Sequence, residues 1–149
     1  MAARFTLAAL SVSLGAALPA APQSAPQDII GAWAFETNRY HGGACRLRGT
    51  LHLRDNKTAD SYACALTAVE ECDFDEPSVV EQSCQAERTG DALTILSTVD
   101  AIRQPVDGSL TYYPDNFALT VESPDQMIGF LLSAVEATAE FRRTSEAIS

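Results

Sequence analysis

From Ile29 to the end of the chain, apolar residues recur mostly at every second position, the period of a half-buried strand. The first strand is predicted over Ile29 to Thr37, with Trp33, Phe35 and Thr37 on one face. His41-Gly42-Gly43 then marks a loop. From Cys45 to Arg54, residues Cys45, Leu47, Gly49, Leu51 and Leu53 share one face. Arg46, Arg48, Thr50, His52 and Arg54 share the other. A turn at Asp55-Asn56-Lys57-Thr58 leads into a strand over Asp60 to Ala68. Centring that turn between Asn56 and Lys57 sets Tyr62 opposite Leu51, Cys64 opposite Gly49 and Leu66 opposite Leu47. A slip of one residue would bury Ser61, Ala63 and Ala65 and expose the larger side chains instead.

Glu70 to Glu81 is acidic, contains Pro77 and has no period, so it reads as a long connection. Strands follow over Val80 to Arg88 and Ala92 to Val99, joined through Thr89-Gly90-Asp91. Asp107-Gly108 is a hairpin signal, with a short strand over Leu110 to Tyr113. Phe117, Leu119 and Val121 alternate in the next strand. Ser123-Pro124-Asp125 turns the chain into Met127 to Ser133, and Ala137 to Arg143 ends the series. Eight or nine strands with short antiparallel links and no helical segment give an all-β chain. It closes most naturally as a small up-and-down barrel of about eight strands, which leaves no sheet edge exposed.

The first 20 residues differ from this pattern. Arg4 precedes an apolar run from Phe5 to Leu18 that is too short to span a bilayer, and small residues and prolines follow. Residues 1–20 are expected to be an export signal cleaved near Ala20 or Ala21. Residues 21–27 are then a flexible arm, disordered or extended, 28–143 the barrel domain and 144–149 a tail. No cysteine lies near the cleavage region to carry a lipid, so the expected location is periplasmic or secreted, without membrane insertion.

In such a compartment Cys45, Cys64, Cys72 and Cys84 read as a disulfide framework rather than a metal site. No C-x-x-C is present and neither histidine stands at a zinc-ligand spacing. Three pairings are possible. Cys72 leaves the third strand at the barrel end where Cys45 sits, and Cys64 and Cys84 fall roughly abreast on neighbouring strands. The strand order therefore favours Cys45–Cys72 and Cys64–Cys84.

The net charge is −10, and −11 without the segment that holds Arg4. Nucleic acid and anionic membranes are poor partners for such a chain, because both need clustered positive charge. Arg46, Arg48, His52 and Arg54 form the one basic row, and Arg46, Arg48 and His52 are candidate contacts for an anionic group or an acidic partner. The alternative is a solvated strand face balanced by neighbouring strands. The acidic stretch lacks the glycine and ligand spacing of a calcium loop. Tyr62, Tyr112 and Phe117 are candidate lining residues of the barrel interior, or simply its core. His41 and His52 have no legible nucleophile, and the nucleophile-elbow, zinc-helix and phosphate-loop motifs are missing. No catalytic residue, metal ligand or cofactor is therefore assigned.

Gly31-x-Trp33 at the start of a first strand, within a meander of short strands, resembles the calycin superfamily of lipocalins, avidin-like barrels and small periplasmic inhibitors of bacterial metalloproteases. The resemblance implies that Trp33 closes one barrel end and that a late arginine, Arg142 or Arg143, packs across its ring. Thr111-Tyr112-Tyr113 departs from the lipocalin Thr-Asp-Tyr motif, and the several pocket tryptophans of biotin binders are missing. The expected function is a monomeric, non-catalytic exported protein binding a small ligand or an envelope or secreted protein. The alternative is a periplasmic protease inhibitor acting through residues 21–27. Export predicts that protein recovered from its native host has lost about 2 kDa from its N-terminus, the mass of a typical signal. Intact-mass spectrometry checks this, and full-length cytoplasmic protein would contradict it.

Overall fold

The computed structural model describes residues 28–105 and 111–145; the expected signal and arm, the Asp107-Gly108 hairpin and residues 146–149 lie outside them. Eight strands run in chain order: β1 (Gly31–Thr37), β2 (Cys45–Asp55), β3 (Ser61–Cys72), β4 (Ser78–Thr89), β5 (Ala92–Gln104), β6 (Asn116–Ser123), β7 (Gln126–Leu132) and β8 (Glu136–Arg143). Each pairs antiparallel with the next, and β8 returns to β1, closing the barrel. No helix occurs among the described residues.

Inward faces follow the alternation in the sequence. Leu47, Leu51, Leu53, Leu66, Ile95, Leu131 and Phe141 are all buried, with polar residues between them on the strands. At mid-height Phe35, Phe117 and Phe141 form a three-ring core. Phe35 stacks on Phe141 at 4.9 Å, and Phe117 meets both edge-on at 5.4 and 5.1 Å. Burying one such ring contributes about 1.5–3 kcal/mol, and the triad occupies the space a ligand would need in a barrel this narrow.

Room for the triad comes from glycine. Gly49 pairs with Phe35, and a Cβ there would lie 1.9 Å from the Thr67 carbonyl oxygen and 2.8 Å from the Phe35 ring. Across β1 and β8, on β7, a Cβ at Gly129 would lie 2.0 Å from the Ala118 carbonyl oxygen. Close backbone approach at such points lets strands bend tightly enough to close a small barrel.

One end of the barrel is plugged by Trp33, which is fully buried and donates its indole N–H to the Ile29 carbonyl at 3.0 Å. The Arg143 guanidinium lies 4.5 Å over the Trp33 ring and donates to the carbonyls of Asp28, Ile30 and Pro124 at 2.6–2.8 Å. Gly31, at φ +131°, passes so near that a Cβ would lie 2.9 Å from Arg143 Nη1. Of the two candidate arginines, Arg143 therefore caps the ring. Arg142 faces outward and pairs with Glu140.

Both disulfides join directly opposed residues: Cys45 with Cys72 across β2 and β3, and Cys64 with Cys84 across β3 and β4. The pairing matches the expectation, but the β2–β3 register behind it differs. Leu51 faces Leu66 and Leu47 faces Glu70, four residues along from the expected partners. The connection is longer than a tight turn. The Asp55 and Asn56 side chains accept from the Lys57 and Thr58 amides, and Lys57 and Asp60 take positive φ. An even shift keeps every side chain on its expected face, so the hydrophobic pattern cannot detect it.

Three element boundaries also move, the first being β5, which runs five residues beyond the expected Val99 to Gln104. β3 continues to Cys72, which places Glu70 and Glu71 in a strand and shortens the acidic connection to residues 73–77. Residues 111–113 are not a strand.

Trp33→Ala is expected to cost about 3–5 kcal/mol. Gly129→Ala is expected to cost about 1–3 kcal/mol, as an overpacked site does. Urea unfolding of the two variants measures both, and a near-neutral Gly129→Ala would show that β6 and β7 can part without penalty.

Candidate functional site

The end opposite Trp33 differs in chemistry from the rest of the interior. β5 pairs with β6 only from Ala92 to Ile95, so above that level the two strands diverge. Side chains bridge the gap. The Ser97 amide donates to Asn116 Oδ1 at 2.8 Å, and Ser97 Oγ donates to the Asp115 carbonyl at 2.6 Å. Asp115 and Gln82, each 2% exposed, form a two-bond ring beneath this seam. Gln82 Nε2 donates to Asp115 Oδ2 at 2.7 Å, and the Asp115 amide donates to Gln82 Oε1 at 2.9 Å. The Tyr112 hydroxyl donates to the same carboxylate oxygen at 2.9 Å. Across the mouth, the Tyr40 hydroxyl donates to Glu70 Oε1 at 2.6 Å.

Gln82 and Glu70 occupy inward positions of β4 and β3, where the neighbouring inward positions are mostly apolar. A polar group there must find partners, because an unpaired buried one costs about 1–3 kcal/mol. Gln82 finds its partner in Asp115, on the segment 111–115, and Glu70 finds its partner in Tyr40, on the β1–β2 loop. Burial raises the Asp115 pKa to about 6, with the Glu70 charge acting in the same direction, against the lowering effect of its hydrogen-bond donors. Burial likewise raises the Tyr40 and Tyr112 pKa values, assisted by their carboxylate partners. The cluster thus holds a proton near pH 6 inside a closed end, with Gln82 and Tyr112 occupying the Asp115 carboxylate.

Loops ring this end. The β1–β2 loop, 38–44, is tied to the β3–β4 loop, 73–77, by the Cys45–Cys72 disulfide and by the Asp73 amide donating to the Ala44 carbonyl at 3.0 Å. Arg39 Nη1 pairs with Asp73 at 3.3 Å and donates to the Gly43 carbonyl at 2.6 Å. Phe74 and Tyr113 project from the loops, 72% and 62% exposed.

The candidates read from sequence fall in different places. Arg46 and Arg48 stand on the outer wall and bind Glu71 at 2.8 and 2.7 Å, which holds that carboxyl below its usual range, so this part of the basic row is balanced by β3. His52 is exposed on the outer face of β2, and His41 lies at a loop tip beside Tyr40. Phe117 is locked in the core triad and Tyr62 is half-buried against the core. Tyr112 alone of the three aromatics reaches the barrel mouth. Gln82, Asp115 and Glu70 were not singled out by sequence; the only local signal was a polar residue at an inward position, legible at Gln82 once β4 is in phase.

On the outer wall, a groove of about 1170 Å³ crosses β1, β2, β7 and β8 where the strands bend at Gly49 and Gly129. Ile128 and Phe130 are exposed along it. Among the described residues, no group of three or more His, Cys, Asp or Glu side chains is placed to hold a metal ion.

No protein-family model matches the chain, and no curated protein sequence matches it. Solved structures of designed barrels do. A de novo designed fluorescence-activating β-barrel aligns over 78% of this chain and 94% of its own, with TM-score 0.55 and 23% identity. A redesigned barrel aligns at TM-score 0.55 and 16% identity, covering 92% of its length. Another, solved bound to DFHBI, aligns at TM-score 0.55 and 14% identity, covering 94% of its length. At these identities the likeness is one of fold: an eight-stranded antiparallel barrel.

The Asp115 pKa sets a pH dependence of known sign. The carboxyl keeps its proton in the fold to about pH 6, while the unfolded chain loses it near pH 4. Its contribution to stability is therefore full below about pH 4 and lost as pH rises through about 6, an effect on the order of 3 kcal/mol. Asp115→Asn cannot titrate, so its stability relative to the parent should rise by about that amount between pH 4 and 7. Chemical denaturation of both proteins across this range checks it; a constant difference would mean that Asp115 ionises normally.

Proposed function

We propose that this is an exported, non-catalytic binding protein that engages its partner through the loop-bearing end of the barrel. The observation carrying this reading is the filled interior: the Phe35–Phe117–Phe141 triad occupies the middle, and the Asp115–Gln82 ring closes the mouth. Binding is then left to the outer surface, where disulfide-tied loops present Phe74 and Tyr113. Function tends to sit on loops held by a rigid scaffold. The two disulfides are compatible with an oxidising, extracytoplasmic location. Kinship with calycins draws support from Gly31-x-Trp33 beneath Arg143 in an eight-stranded meander. The non-catalytic reading draws support from the histidines, which stand apart on a loop tip and an outer wall.

A second reading is protease inhibition through residues 21–27. It is favoured by the rigid anchor at the first described residues, where Arg143 binds the carbonyls of both Asp28 and Ile30.

Two assays separate the readings. Thermal shift against a panel of hydrophobic small molecules should give no stabilisation if the core is filled, and a clear shift would restore an internal ligand. Inhibition of co-secreted proteases, measured with and without residues 21–27, should be absent for a loop-end binder. Inhibition that disappears with those residues would establish the second reading instead.

A further inference from the structure

Phe74 is the most exposed large apolar side chain among the described residues, at 72%, and it sits on a loop rooted in a disulfide-bonded cysteine. Cys72 roots the loop through its disulfide to Cys45, and the Asp73 amide is bound to Ala44. The Asp75 amide donates to the Cys72 carbonyl at 3.4 Å, and the Glu76 amide donates to Asp75 Oδ1 at 2.9 Å. An aromatic ring left in water forfeits the gain of burial, and a pinned loop prevents it from folding back. Held in place in this way, the ring loses little further freedom on docking. A shallow notch of about 190 Å³ lies beside it, bordered by His41 and Ser78.

The surrounding charge indicates the kind of partner. Asp73, Asp75 and Glu76 flank the ring, and only Asp73 has a cationic partner among the described residues, Arg39. The whole chain carries −10. Nucleic acid and anionic lipid are repelled by such a surface, whereas a cationic protein is drawn to it.

We propose that the 73–77 loop docks on a folded, basic protein, Phe74 entering an apolar pocket and Asp75 and Glu76 meeting lysine or arginine side chains around its rim. The inference rests on the reading that the loop end is the binding face. An exposed aromatic that becomes buried at the centre of a contact is a typical binding hot spot, with polar neighbours excluding water around it.

The test uses the full mature chain as bait in an extract of envelope and secreted proteins from the native host. Captured proteins are identified by mass spectrometry, and the purified hit is titrated against four baits: parent, Phe74→Ala, Asp75→Asn with Glu76→Gln, and Phe130→Ala. Phe74, Asp75 and Glu76 are exposed, so matching thermal unfolding will confirm that these variants fold. The expected result is a hit with net positive charge. Phe74→Ala should weaken its binding by about 30-fold or more. The double variant should slow association and blunt its dependence on salt. Phe130→Ala should leave it unchanged. A neutral or acidic hit that still needs Phe74, with salt-insensitive binding, overturns the basic partner but keeps the loop end. A hit that ignores Phe74 and is lost with Phe130→Ala places binding in the outer groove and overturns both. Failure of the parent bait to retain any protein more than a reduced, alkylated bait does overturns the proposal.

Discussion

The contact between Arg143 and Trp33 seals one end of the barrel. A guanidinium over an indole is a modest interaction by itself, but here it joins the two termini of the sheet. Arg143 ends β8, Trp33 lies within β1, and the two residues face each other in the β1–β8 register. The same guanidinium binds the backbone that enters β1 and the turn before β7. One side chain therefore ties the first strand, the last strand and a turn into a single plug. Gly31 is needed because a side chain there would stand where the arginine lies.

With that end sealed, the remaining freedom is at the other. β2, β3 and β4 pair along ten residues or more, while β5 and β6 share four pairs before parting. A gap in a barrel wall exposes polar backbone to the interior, and unpaired groups there are costly. The protein meets this need with Ser97, Asn116, Gln82 and Asp115 instead of a longer strand. The interior is thus apolar for most of its length and hydrogen-bonded at one rim, which is also the rim that bears the disulfide-tied loops. Stiff walls and an anchored rim make a platform suited to presenting loops.

Similarity to designed barrels of unrelated sequence points to the constraints that eight-stranded closure imposes on any chain. Strands must bend sharply, and glycine at inward positions permits it; Gly49 and Gly129 do so here. The space so created must then be filled, and three phenylalanines fill it. The outer groove is the external side of the same bends.

Period-two alternation determined the strand faces, and even an offset of four residues in the β2–β3 register left them intact, because burial depends on parity alone. Cysteine placement at matching heights on neighbouring strands gave the disulfide pairing. The sequence also marked Trp33 as a plug. What it could not specify were the contacts made across the barrel. Whether Arg142 or Arg143 caps the tryptophan depends on which one the β8 pleat turns inward. Glu70 looked like part of an acidic loop until β3 proved long enough to carry it to Tyr40. Asp115 has no periodic signal, and its environment arises only when β4 brings Gln82 beneath it. Alternation is a local property of a strand, whereas these sites join residues 30 and 33 positions apart, which only the closed barrel brings together.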